Sequence, residues 1–183
     1  MPGEFIDSAT QEFQSIKRAA ERAIAQVDDE RFFSAIDGES NSVAVLVKHL
    51  SGNMLSRWTD FLTTDGEKPW RDRDAEFRID PADTRAALME RWERGWQVVF
   101  KELAGIGPAD LERITTIRAE PHSVYRAIVR HLTHYGAHIG QIVLLCKHCA
   151  GPGWKTLSIP RGQSREHNEA FMAAQREKSR TTS

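Results

Sequence analysis

Three histidines on one face of a single long helix constrain this chain more than any other feature. They lie in the run His131-Leu132-Thr133-His134-Tyr135-Gly136-Ala137-His138-Ile139-Gly140-Gln141-Ile142. A helical step of about 100° per residue puts His134 about 40° to one side of His138 and His131 about 20° to the other. Val124, Ala127, Ile142 and Leu145 fall in the same arc, so the histidines share the apolar face. An imidazole buried there without a partner is costly. The interior must therefore satisfy these rings, and a bound metal ion is the sharpest way to do so.

The rest of the chain supplies helices to pack against that face. Phe5, Ile6, Ala9, Phe13, Ile16, Ala20 and Ile24 recur at helical spacing over residues 5–27. Phe32-Phe33 then opens a short connector, and Asp37-Gly38 reads as a turn. Ser40-Asn41-Ser42 offers caps for a second helix from Val43 to about Leu62, with Leu46, Leu50, Met54, Trp58 and Phe61 on its apolar side. Between Thr63 and Asp80 the periodicity stops. That segment is charged and holds both Gly66 and Pro69, while Trp70 and Phe77 suggest that it docks back onto the body. Pro81-Ala82-Asp83-Thr84 opens a third helix to about Leu103, with Leu88, Trp92 and Trp96 as packing residues. Leu111 to Arg118 reads as extended or as a short helix, and Pro121-His122-Ser123 starts the fourth long helix, which runs to about His148. Gly151-Pro152-Gly153 stops it. Four amphipathic helices predict an all-α bundle over residues 1–165, followed by a polar tail over 166–183 with a short helix through Phe171 and Met172 and a frayed end.

A formal net charge of −1 leaves no basic footprint for nucleic acid and no polybasic membrane patch. No apolar run approaches the roughly 20 residues of a membrane span, and Met1-Pro2-Gly3-Glu4-Phe5 lacks the features of a signal peptide. The expectation is a cytoplasmic protein whose partner is a small molecule. Cys146 and Cys149 form a C-x-x-C spacing at the end of a helix, with no second pair; they read as structural.

His134 and His138 stand at i and i+4 and point from one helix towards one place. With one further imidazole they would leave a zinc-like ion an open position. Tyr135 follows His134 where H-E-x-x-H metalloproteases carry Glu, which weakens a protease reading. For the third ligand His49, bordering the apolar side of the second helix, is the best offer, and His131 competes with it. His122 lies at a cap, and His148 and His167 read as exposed.

Three runs together carry a resemblance: Val47-Lys48-His49-Leu50-Ser51-Gly52-Asn53, the segment Arg57 to Lys68 with Trp58, Asp60, Phe61 and Gly66, and His134-x-x-x-His138-x-Gly140-Gln141-Ile142. They are similar to the DinB-like, YfiT-like superfamily. The Leu157-Ser158-Ile159-Pro160-Arg161-Gly162-Gln163-Ser164 motif resembles one branch of uncharacterised bacterial proteins within it. The resemblance implies an up-down-down-up four-helix bundle, often a homodimer. It also implies a divalent metal, usually zinc or nickel, on residues that map to His49, His134 and His138. Wider relatives include S-transferases that use low-molecular-weight thiols as cosubstrates. The expected activity is therefore activation of a thiol or water against a small electrophile, giving S-transfer or hydrolysis. Asn53, Arg57, His131, Tyr135, Gln141 and Arg161 are the candidates for orienting substrate or ligands. A non-catalytic, stress-related dimer with a structural or vestigial metal is the alternative.

Overall fold

The computed structural model describes residues 2–181. Met1 and the last two residues of the polar tail, Thr182 and Ser183, lie outside the described residues. The fold is mostly helical, with one small two-stranded sheet. The helices are α1 (Pro2–Ile24), α2 (Asp29–Phe33), α3 (Val43–Trp58), α4 (Arg85–Gly105), α5 (Val124–Ala150) and α6 (Ser164–Thr181). The strands are β1 (Ile114–Ile117) and β2 (Glu120–Ser123), paired antiparallel with Ile117 opposite Glu120. The chain divides into two compact units, Met1–Gly151 and Pro152–Ser183. No helix among the described residues is long and apolar enough to cross a membrane.

Local chemistry sets the helix ends. The side chains of Ser42, Thr84 and Ser123 accept from the N–H of Val45, Ala87 and Arg126 and so cap α3, α4 and α5. α3 stops at Trp58, four residues before the expected Leu62, because Asp60 adopts a φ of 53° and its carbonyl accepts from Thr63 and Thr64 instead. The segment read as extended or helical before α5 is the hairpin. Its two-residue turn, Arg118-Ala119, has φ of 57° and 60°, the conformation of a primed turn. α6 continues through Thr181 rather than stopping after Met172, on a run of Glu, Ala, Gln, Arg and Lys that favours helix.

In the first unit α1 packs mainly along α5 and α3 along α4; α3 also meets α5, and α1 meets α4. An aromatic side chain from each of these four helices meets at the centre. Phe13 of α1 lies 5.7 Å from Trp58 of α3, 6.1 Å from Trp96 of α4 and 5.8 Å from Tyr135 of α5, ring centroid to ring centroid. All four are fully buried.

The segment between α3 and α4 docks by charge rather than by Trp70, which is exposed. The buried Lys48 ammonium of α3 donates to Asp83 at 2.6 Å, Asp80 at 3.0 Å and the Arg78 carbonyl at 2.7 Å. Phe77 does dock, its ring 4.8 Å from that of His49. This segment forms one wall of the site.

Candidate metal centre

α3 and α5 bring His49, His134 and His138 together. A ligand atom from each lies within 4.8 Å of the other two. The ring centroids are 5.6 Å apart for His49 and His134, 5.0 Å for His49 and His138, and 4.7 Å for His134 and His138. His49 is buried and the other two are half-buried. The middle of the apolar face of α5 is occupied by His131, Tyr135, Ile139 and Ile142, all buried. The i, i+4 pair therefore stands at the border of that face, where the core opens to a cavity, rather than at its centre.

Two of the rings are already oriented through their second nitrogen. His49 Nδ1 lies 2.8 Å from Glu76 Oε2. Burial acts to raise the Glu76 carboxyl, but the bonds from His49 and Arg71 outweigh it and hold the group below the usual carboxylate range. An ionised carboxylate only accepts, so His49 Nδ1 carries a proton and Nε2 is the ring nitrogen left to face a cation. Arg71 fixes the same carboxylate with two bonds, Nε to Oε1 at 2.8 Å and Nη2 to Oε2 at 2.9 Å. On α5, His138 Nδ1 donates to Gln141 Oε1 at 2.8 Å, which frees Nε2 in the same way. His134 is held neutral down to about 4 by burial, reinforced by the neighbouring His138, His49 and arginines. Burial lowers His138 too, against the bond to Gln141.

Neutral imidazoles with a lone pair each are what a borderline divalent cation requires. Three nitrogens on one tetrahedral ion stand about 3.3 Å apart, against ligand atoms that here lie within 4.8 Å of one another. The carboxylate behind His49 stands where an outer partner would orient a histidine able to take a metal ion. The group His49, His134 and His138 could thus hold a metal ion. No other group of three or more His, Cys, Asp or Glu among the described residues has such an arrangement.

The triad lies on the wall of a cavity of about 400 Å³ that Asn53, Arg57 and His131 also line. His131 is fully buried, its Nε2 has no partner among the described residues, and burial holds it neutral down to about 3. Tyr135 lies in the core and not on the cavity. Trp58 Nε1 donates to its hydroxyl at 3.0 Å, and the hydroxyl donates to Asn53 Oδ1 at 3.1 Å, which fixes the amide. Gln141 is exposed and meets the site through His138. Arg161 is exposed in the second unit. Cys146 is buried and free, its thiol pushed up to about 12 by burial, and Cys149 is half-buried and free. Reading the sequence missed Glu76, Arg71, Arg73, Arg118 and Arg130. The one available signal was the charged run Arg71-Asp72-Arg73-Asp74 leading to Glu76 and Phe77.

No curated protein and no solved structure gives a significant match to the chain. A family profile described as "Protein of unknown function (DUF1572)" matches residues 1–163. The region it covers carries every residue of the histidine site and of the cavity around it, and the chain belongs to the DUF1572 family.

Proposed function

We propose that this protein is a metal-dependent enzyme built on a DinB-like, YfiT-like four-helix bundle of up-down-down-up arrangement. His49, His134 and His138 hold a divalent cation, zinc or nickel. The four helix pairings α1–α5, α3–α4, α3–α5 and α1–α4 support the bundle. One observation carries the functional reading: two helices present three imidazoles, two of them with the far nitrogen already committed, to one point on an open cavity.

A divalent cation at that point supplies Lewis acidity, which makes a thiol or water acidic near neutral pH. The chain does the rest. Glu76 keeps the His49 proton on Nδ1, and Gln141 does so for His138. Asn53, pinned by the Tyr135 hydroxyl, offers its amide N–H to a bound molecule. Fully buried aromatic rings beneath keep water out of the floor. The reaction is S-transfer from a low-molecular-weight thiol to a small electrophile. The thiol loses its proton to solvent, and its sulfur forms a C–S bond as a halide leaves an alkyl halide, or as a C–O bond of an epoxide opens and its oxygen takes up a proton. In hydrolysis water takes the place of the thiol and forms a C–O bond. The homodimer belongs to the same proposal, and sedimentation velocity checks it.

Metal analysis of the purified protein tests the site. About one equivalent of zinc or nickel per chain is expected, and His134→Ala should lose it. Unchanged metal content in that variant would remove the triad as the ligand set. A screen of thiol cosubstrates against alkyl halides and epoxides tests the reaction. Turnover that disappears on chelation supports an enzyme; metal binding with no turnover supports a structural ion.

A further inference from the structure

The cavity over the histidines has a second chemical character. Besides the four histidines, Asn53 and Phe77, its lining consists of Arg57, Arg71, Arg73, Arg118 and Arg130, and it includes no carboxylate. In a chain with a formal net charge of −1, five guanidiniums on one small cavity are a concentration of positive charge. The acids behind them are shared. Glu67 Oε2 accepts from both Arg57 at 2.8 Å and Arg118 at 2.7 Å, and Glu76 serves His49 as well as Arg71. Among the described residues the ion pairs of Arg130 and Arg73 are loose and exposed, 3.8 Å to Glu120 and 3.9 Å to Asp74, and the Arg73 guanidinium lies 5.0 Å from the Phe77 ring centroid.

Two of these arginines also hold N–H groups with nothing to donate to. Arg57 and Arg71 have side chains only 6% and 2% exposed, and Nη1 of each lacks an acceptor among the described residues. A buried guanidinium N–H left unpaired is costly, more so than a neutral one. Nature meets that cost where a ligand supplies the acceptor, and the planar fork of arginine matches the oxygens of a carboxylate or phosphate.

We propose that the substrate or cosubstrate of this site is a small anion, whose carboxylate or phosphate group is gripped by Arg57 and Arg71, with Arg118 and Arg130 at the mouth, beside the histidine triad. The inference deepens the reading of the triad as a reaction centre, and rests on it for the word substrate. The binding itself does not depend on the metal. The arginines set which molecules enter and which end of them faces away from the histidines. A volume of about 400 Å³ suits a molecule of metabolite size.

Calorimetric titration with inorganic phosphate, and separately with malonate, decides the matter. Both are run at constant ionic strength on metal-stripped and on zinc-loaded protein. Saturable binding to the metal-stripped protein is expected, and whichever probe binds more tightly tells phosphate from carboxylate as the preferred group. Arg118→Gln and Arg130→Gln lie at half-exposed positions, 56% and 50%, where the fold tolerates change. Each should weaken binding by about threefold to tenfold. Arg57→Lys keeps the charge, loses the fork and should weaken it about tenfold. Arg18→Gln, on the exposed side of α1, should do nothing. Absence of saturable binding, binding confined to zinc-loaded protein, or affinity unchanged in all three arginine variants would each overturn the proposal. His134→Ala separates the two readings: it should abolish metal uptake and leave phosphate or malonate binding in place.

Discussion

Three donors converge on one carboxylate at Glu76: His49 Nδ1 at 2.8 Å, Arg71 Nε at 2.8 Å and Arg71 Nη2 at 2.9 Å. Glu76→Gln leaves the shape and removes the charge, so His49 loses the acceptor that fixes its tautomer. Metal affinity should fall about 10–100-fold, measured by competition with a chromophoric chelator, while the helical circular dichroism signal stays. Gly52 exists for the same carboxylate. A Cβ there would overlap the Glu76 carboxyl group, whose carbon would stand 2.8 Å away. Gly52→Ala should therefore destabilise the fold by about 1–3 kcal/mol and weaken metal binding as well, a combination that Gly→Ala at the open position Gly136 should not produce. At the far end of α5, Cys146 is buried with its thiol pushed up to about 12. Iodoacetamide at pH 8 should label Cys149 and leave Cys146 unmodified in the folded protein, as peptide mapping would show.

Among the elements, the hairpin is held from outside itself. Arg118 and Ala119 both occupy the left-handed region, at 57° and 60°, without the Asn or Gly that normally fills a primed turn. The carboxylate of Asp65 offsets that strain. It accepts from the N–H of Arg118 at 2.9 Å, Ala119 at 2.7 Å and Glu67 at 2.6 Å, and Gly66 N–H donates to the Thr116 carbonyl at 2.8 Å. Burial acts to raise the Asp65 carboxyl, but these N–H groups outweigh it and bring it to about 2. The ordinary carboxyl takes its proton near 3.8, so the contribution of Asp65 is complete above that pH and is lost as pH falls towards 2. Asp65→Asn should cost about 1 kcal/mol at neutral pH and less at pH 2.5. Ala119→Gly should raise the unfolding midpoint in urea slightly by relieving the left-handed cost. The hairpin carries Arg118 to the cavity, so loosening it should also weaken anion binding.

For the molecule as a whole, the aromatic cluster of Phe13, Trp58, Trp96 and Tyr135 ties four helices together beneath the site. Trp58→Ala should cost about 3–5 kcal/mol. It should also free the Tyr135 hydroxyl from its donor, and with it Asn53 on the cavity wall. His131 beside this cluster makes the fold sensitive to acid. In the folded chain its imidazole takes a proton only near 3, against 6.5 ordinarily. Unfolding therefore takes up a proton between those values, and stability falls as pH drops across that window by up to about 1.4 kcal/mol per pH unit. His131→Phe should flatten the slope of unfolding free energy between pH 6.5 and 4 in metal-stripped protein, followed by urea denaturation.

The four long helices were legible because burial of an amphipathic face depends on spacing along one segment, and Phe13, Leu50, Trp92 and Ile142 declare that spacing without reference to partners. The His134, His138 pair was legible for the same reason, and Ser42, Thr84 and Ser123 announce the helix starts. Local pattern could not tell that Tyr135 rather than His138 lies at the middle of the α5 face, since helices on two sides decide how far that helix rotates. Nor could it join Glu76 to His49 across 27 positions, or Asp65 to a turn 53 positions away, because neither bond leaves a periodic trace. Charge is the deepest case. Of five arginines scattered between positions 57 and 130 only Arg57 stood out as a candidate for the site, and only packing brings all five around one cavity. The sequence by itself determined the four long helices and which residues could bind a cation. Tertiary structure decided what surrounds that point, because electrostatics acts through space and periodicity acts only along the chain.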